Sequence, residues 1–177
     1  LLPFIKNRAL FLDRDGVINI DTKYMHKPED CIFNDGILDL LKAAKSYGYL
    51  IIVITNQSGI GRGFYTEETF HQLMHWMNNQ LDNLIDDYYF CPFHAEHGIG
   101  DYKCDSYDRK PNPGMFEKAI KKNRINAEDS LMIGDQMSDL IAAQRAGIQR
   151  TLLVSNESSS TEKIDTIQKI TEAIDHL

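Results

Sequence analysis

Ala9-Leu10-Phe11-Leu12-Asp13-Arg14-Asp15-Gly16-Val17 is the stretch on which the reading turns. Four apolar residues in succession read as a strand covered on both faces, and the first acid stands where that strand runs out into a loop. Carboxylates two residues apart at a strand end repel each other, and burying them uncompensated is expensive. A divalent cation between them removes the conflict and leaves one of the pair beside it as a nucleophile. The bland alternative is a solvated turn, because Asp and Gly favour turns for local reasons. Three further segments, each behind an apolar run, decide between the two.

The apolar runs alternate with helical patterns, as a parallel α/β sheet requires. They cover residues 9–12, 49–54, 88–90, 131–133 and 150–154. Asp35 is placed to cap a helix with Ile37, Leu38, Leu41 and Ala44 on its buried stripe and Gly48 at its end. Behind Thr66, the residues Phe70, Leu73, Met74, Met77, Leu81, Leu84 and Ile85 repeat at helical spacing. Asn112 and Pro113 open another helix as cap and first residue, with Met115, Phe116, Ala119 and Ile120 facing inward. Ser138 caps the next, which ends at Gly147, and a polar loop over 155–160 leads to a last helix carrying Ile164, Ile167, Ile174 and Leu177. The pattern predicts a single α/β domain, 1–177, in three Rossmann-like layers, with a mostly parallel central sheet. No segment is long enough for a large cap domain.

The balance of charges narrows the partners. A net charge of -7 argues against nucleic acid, which demands a surplus of Lys and Arg, so any phosphate site must be local. No apolar run approaches the ~20 residues of a membrane span, and Leu1 to Ile5 lacks the regions of a signal peptide. Three cysteines, Cys31, Cys91 and Cys104, make an odd count without disulfide spacing. A reducing cytoplasm and a monomer are the expectation.

Right-handed crossovers align the carboxyl ends of parallel strands along one edge, where open α/β sheets bind ligands. Asp13 and Asp15, then Thr55-Asn56-Gln57-Ser58, then Gly134-Asp135 all fall there, joined by Arg109 and Lys110 from a loop before a helix. Each has an ordinary explanation: a strand cap, a surface charge, a turn, or for Asp139 a first-turn acid. Convergence of four distant segments is what outweighs them. A phosphate ester in that crevice meets Asp13 as nucleophile and Asp15 as proton donor to the leaving group, later as base for water. Asp135 adds a third carboxylate, and an oxygen-only donor set suits Mg²⁺. Thr55 can hold a phosphoryl oxygen, and Lys110 can neutralise charge in the transition state.

Asp-x-Asp-Gly, a strand ending in Thr, a Lys, and Gly-Asp-x-x-x-Asp over 134–139 together resemble the haloacid dehalogenase (HAD) superfamily of phosphatases. Asp13-Arg14-Asp15-Gly16, Thr55-Asn56-Gln57-Ser58-Gly59, Arg62-Gly63 and Arg109-Lys110-Pro111 resemble a narrower group within it. Those are the D-glycero-D-manno-heptose-1,7-bisphosphate 7-phosphatases and the histidinol-phosphate phosphatases. The resemblance implies a HAD-type fold, Asp13 as nucleophile and Asp15 as acid/base. It implies Mg²⁺ held by Asp13, the backbone carbonyl of Asp15, and Asp135. Thr55 and Lys110 would stabilise the phosphoryl group, while Asn56, Gln57, Ser58 and Arg109 would bind a phosphorylated sugar. A catalytically silent phosphate-binding regulator is the rival from another class.

The resemblance stops at a zinc loop common in that group, Cys-x-His followed by Cys-x-Cys. Here Cys91-Pro92-Phe93-His94 has Phe where the second ligand belongs, and Cys104-Asp105-Ser106-Tyr107-Asp108 lacks a Cys. A site rebuilt from Cys91, His94, His97 and Cys104 would need an unfamiliar spacing, so zinc is not expected. His71 and His75 sit on a solvated helix face rather than at a metal.

Overall fold

The computed structural model describes residues 6–156 and 164–177. Six strands form one sheet: β1 (Arg8–Leu12), β2 (Tyr49–Asn56), β3 (Asp87–Cys91), β4 (Leu131–Gly134), β5 (Arg150–Val154) and β6 (Asp165–Ile167). Their order is β3-β2-β1-β4-β5-β6, and every neighbouring pair is parallel. Between them run α1 (Ile37–Ser46), a single turn α2 (Ser58–Gly61), α3 (Glu67–Gln80), α4 (Gly114–Asn123) and α5 (Met137–Arg145).

Strand side chains alternate between faces, so each central strand feeds two cores. Leu10, Leu12, Ile51 and Val53 pack with Leu40 and Leu41 of α1 and Phe70 and Met74 of α3. Ala9, Phe11, Ile52 and Ile54 pack with Phe116 and Ala119 of α4 and Ala142 and Ala143 of α5. The result is helix, sheet, helix: the expected three layers. Burying each large aliphatic side chain contributes about 1.5–3 kcal/mol, which explains why β1 and β2 can be apolar on both faces.

The order reverses direction at β1, placing a crevice between β1 and β4 at their carboxyl ends. Leu12 and Ile133 are register partners there, so the residues that follow them emerge side by side.

Several local expectations are corrected. The last helix is absent as such: 165–167 pair in parallel with β5, and a 3-10 turn over Ile170–His176 returns Ile170 and Ala173 to the core. Without that pairing β5 would present an open edge, and covering it outweighs the helical spacing of the isoleucines. Of the expected polar loop, 157–160 lie outside the described residues. Asp35 does not cap α1; Gly36 occupies that position at φ 79°, where a Cβ would lie 2.3 Å from Thr171. Pro113 is the cap residue of α4 rather than its first helical residue. Ser138 lies inside α5, whose entry is tied by Asp139 accepting the backbone N–H of Gln136 at 3.0 Å. Helix α3 stops at Gln80, because Asn78 turns back to bond Ile85, while Leu81 and Ile85 stay buried in the turn. Among the described residues, no helix is long and apolar enough to cross a membrane.

Candidate active site

Asp13 continues β1, and its backbone N–H donates to the Ile133 carbonyl at 3.1 Å, locking the ends of β1 and β4 together. Asp135 leaves β4 one residue beyond Gly134. Ligand oxygens of Asp13, Asp135 and Asp139 lie within 4.8 Å of one another. They border a cavity of about 420 Å³ that Asp15, Asn56, Gln57, Ser58 and Lys110 also line. Of the residues predicted from sequence, Thr55 and Arg109 do not contribute to that lining. Thr55 is buried at the end of β2, and half-buried Arg109 donates to the Phe93 carbonyl at 3.3 Å.

Lys110 is the pivot. It is 4% exposed, and its ammonium meets the Ile54 carbonyl at 2.8 Å, Asp13 Oδ1 at 3.0 Å and Asp139 Oδ1 at 2.7 Å. An ammonium has three N–H donors, and here there are three acceptors. Burial alone would lower its pKa, but the Asp13 and Asp139 carboxylates outweigh that and raise it, so the amine stays charged. Asn56 places the loop: its amide donates to the Lys110 carbonyl at 3.2 Å and accepts the Lys110 N–H at 3.1 Å.

The carboxylates of the crevice are short of positive charge. Burial pushes Asp13 well above the ordinary value of 3.8; Lys110 offsets part of this, while Asp139, Asp135 and Asp15 add to it. Burial also raises Asp135, and Asp139 adds to the effect. The Asp135 Oδ1 is buried with no hydrogen-bond partner, and Oδ2 accepts only a 3.2 Å bond from Gln136. A Cβ on Gly16 would stand 2.3 Å from that Oδ2, so the loop must be glycine for Asp135 to reach the crevice. A hard divalent cation is what such an oxygen-lined, electron-rich site lacks, and Asp13 and Asp135 fit Mg²⁺. Both oxygens of Asp139 are committed to protein, one to Lys110 and one to the Gln136 N–H. Its place is therefore as anchor of the lysine.

Asp15 faces a different set of groups. Its carboxylate accepts bonds from Arg14, from the Asn19 amide at 3.0 Å and from the Gln57 amide at 3.0 Å. Gln57 also donates to the Thr55 hydroxyl at 2.8 Å, leaving the proton of that hydroxyl free to donate.

The cysteine loop does not assemble a tetrahedral site. Cys91 is fully buried in the core against α4, Cys104 is exposed, and His94 Nδ1 accepts the backbone N–H groups of Glu96 and His97. Among the described residues, the one group of three or more potential ligands is Asp13, Asp135 and Asp139. Cys91, His94, His97 and Cys104 form no such group there. The loop is held by other means, with the Tyr102 hydroxyl on Glu67 at 2.9 Å and the Ile99 N–H on the Gly61 carbonyl at 2.8 Å.

Sequence reasoning gave no site role to three residues that shape the site. Asp139 carried a signal, since Gln136 and Asp139 are three apart at a helix start, the spacing of reciprocal capping. Arg14 and Tyr65 carried none. Nothing in a loop sequence distinguishes a buried arginine from a solvated one.

Fold and site together define a hydrolase that handles phosphoryl groups, with acids and one lysine gathered at a sheet edge. A family model described as HAD-hydrolase-like matches residues 107–177. The chain is 50% identical over 159 residues to D-glycero-alpha-D-manno-heptose-1,7-bisphosphate 7-phosphatase of Burkholderia mallei, covering 88% of this chain and 84% of that one. It is 44% identical to the D-glycero-beta-D-manno-heptose-1,7-bisphosphate 7-phosphatase of Vibrio cholerae, covering 92% and 89%. A crystal structure of D,D-heptose 1,7-bisphosphate phosphatase from B. bronchiseptica, complexed with magnesium and phosphate, superposes with a TM-score of 0.80. Identity there is 25%, with 96% of this chain and 97% of that one covered. The chain belongs to the HAD-like phosphatases, in the family of these heptose-bisphosphate 7-phosphatases.

Proposed function

We propose that the protein removes the 7-phosphate of a D-glycero-D-manno-heptose 1,7-bisphosphate through a phosphoaspartyl intermediate. The observation that carries this is the Lys110 ammonium held between Asp13 and Asp139 at the mouth of β1, with the Asp15 carboxylate beside it. Relatives bearing that activity in their names, at 44–50% identity, supply the substrate class.

An Asp13 oxygen attacks phosphorus, and the bond from phosphorus to the sugar oxygen breaks as the new bond forms. Asp15 delivers a proton to the departing oxygen. It then takes one from water, which attacks the phosphoaspartyl group and regenerates Asp13. Lys110 meets the charge that builds on the transferring group, and the free proton of the Thr55 hydroxyl serves one of its oxygens. Asn56, Gln57 and Ser58 form the wall toward the sugar, and Arg109 contributes to recognition from the Phe93 side. Mg²⁺ would be held by Asp13, the Asp15 carbonyl and Asp135, supplying positive charge that holds phosphate next to the anionic nucleophile. Three free cysteines and the absence of a spanning helix among the described residues support a reading as a cytoplasmic enzyme, acting as a monomeric single domain.

Phosphate release by the purified protein tests this. Heptose 1,7-bisphosphate should be turned over far faster than histidinol phosphate; the reverse ranking overturns the substrate assignment. Asp13→Asn should abolish turnover with the fold retained, and an active Asp13→Asn protein overturns the mechanism.

A further inference from the structure

Arg14 is the largest of the fully buried side chains, at 0% exposure, and the active-site proposal gives it nothing to do. Burying a guanidinium is costly, and a lone partner rarely makes it stabilising relative to an apolar residue. Among the described residues its one ion-pair partner is Asp15. Nε donates to Asp15 Oδ1 at 3.2 Å; one terminal nitrogen reaches Oδ1 at 3.1 Å, Oδ2 at 3.0 Å and the Met25 carbonyl at 2.9 Å. The other terminal nitrogen is buried without a partner, and the Phe70 ring lies 5.6 Å from the guanidinium carbon. A residue placed so expensively and so incompletely satisfied is retained for what it does to Asp15.

A second arm reaches the same carboxylate. The Tyr65 hydroxyl donates to Gln57 Oε1 at 2.5 Å, and the Gln57 amide donates onward to Asp15 Oδ2 and to Thr55. With Asp15 ionised that amide faces one way, since turned over its oxygen would point at a carboxylate that then offers acceptors alone. Burial pushes the Tyr65 hydroxyl up to about 12, which keeps it a donor at any working pH.

We propose that Arg14, Gln57 and Tyr65 are positioning residues that clamp the Asp15 carboxylate and designate Oδ2 as the oxygen that exchanges the proton. Oδ1 receives Arg14 twice and the Asn19 amide, filling its lone-pair directions. Oδ2 is the less occupied oxygen: it receives Gln57 and a shared contact from the Arg14 nitrogen, whose two N–H groups serve Oδ1, Oδ2 and the Met25 carbonyl. In the forward step the proton on Oδ2 passes to the ester oxygen while the phosphorus–oxygen electron pair goes to that same oxygen. The inference rests on the reading of Asp15 as acid/base.

The test compares two leaving groups. A sugar alkoxide needs a proton to depart, whereas p-nitrophenolate leaves without one, so a displaced general acid is felt only by the first. kcat/KM reports steps up to departure of the leaving group and isolates the acid role from the later base role. Folded Arg14→Met, Gln57→Met and Tyr65→Phe enzymes, each checked by its melting curve, are assayed on heptose 1,7-bisphosphate and p-nitrophenyl phosphate beside Asp15→Asn. Arg14→Met should lose roughly 100-fold on the sugar phosphate and only a few-fold on the aryl phosphate, tracking Asp15→Asn in kind, with smaller selective losses for the other two. Should Arg14→Met fail to fold, Tyr65→Phe decides, because Gln57 also belongs to the wall toward the sugar. Equal losses on both substrates, or none, in the clamp variants alongside a selective Asp15→Asn overturn the clamp alone. An unselective Asp15→Asn overturns the acid/base reading first, and the clamp with it.

Discussion

Asp139→Asn is the sharpest perturbation the site offers, because one oxygen would have to do two jobs. In the native protein Oδ1 takes the Lys110 ammonium at 2.7 Å and Oδ2 takes the Gln136 N–H at 3.0 Å, all at 1% exposure. An asparagine has a single acceptor, so either the buried ammonium faces an NH₂ or the helix entry loses its tie. A buried hydrogen bond to a charged group is worth about 1.5–3 kcal/mol and a helix-entry bond about 1 kcal/mol. Losing the ion pair and straining the cap should together cost about 3 kcal/mol, which for a chain of this size lowers Tm by roughly 6–12 °C. Circular-dichroism melts at pH 7 measure it. The double variant with Lys110→Met removes the stranded ammonium and should recover part of the loss, a coupling of about 1–3 kcal/mol. A fall below about 2 °C in the single variant, or strictly additive losses in the double, would refute the contact.

Three further outcomes are expected. Gly16→Ala brings a methyl group 2.3 Å from Asp135 Oδ2 at a φ of 89°, so Asp135 must move; magnesium titrations of activity should show weaker binding of at least about tenfold. Because burial raises Asp13 and Asp135 above 3.8, the metal-free fold binds more protons than the unfolded chain in the window above that value. Its stability should therefore decline as pH rises through that window, and the Tm gain on adding Mg²⁺ should be larger at pH 7.5 than at pH 5. Asp87 behaves oppositely: burial alone would raise it, but hydrogen bonds from Lys122, Asn123 and Tyr89 outweigh that and hold it low. Its contribution is present above the ordinary carboxylate value and lost as pH falls through the lowered one, so Asp87→Asn should lower Tm at pH 7 and change it little in strong acid.

The sheet was legible because each buried strand is an apolar run, and the crevice acids Asp13 and Asp135 were legible because they stand where such runs end. Lys110 joins them from the loop before α4, held there by Asn56. β6 was not legible: three residues are too few for a period of two to show against a period of 3.6. Helix starts slipped by a residue or two, because caps such as Gly36 are chosen by a distant neighbour, Thr171, rather than by local preference. The arms that reach Asp15 were hidden for the same reason. Arg14 and Tyr65 take their meaning from burial, and burial is a property of the whole fold.

The two ion pairs have a consequence for which ion the crevice selects. Arg14 cancels the charge of Asp15, and Lys110 cancels that of Asp139. Asp13 and Asp135 remain, a surplus of two elementary charges, which one alkaline-earth ion neutralises in full and one alkali ion only by half. That count holds with Asp15 ionised. On the proposed mechanism Asp15 carries a proton when the ester arrives, so the charge of Arg14 is then left over to meet a dianionic ester.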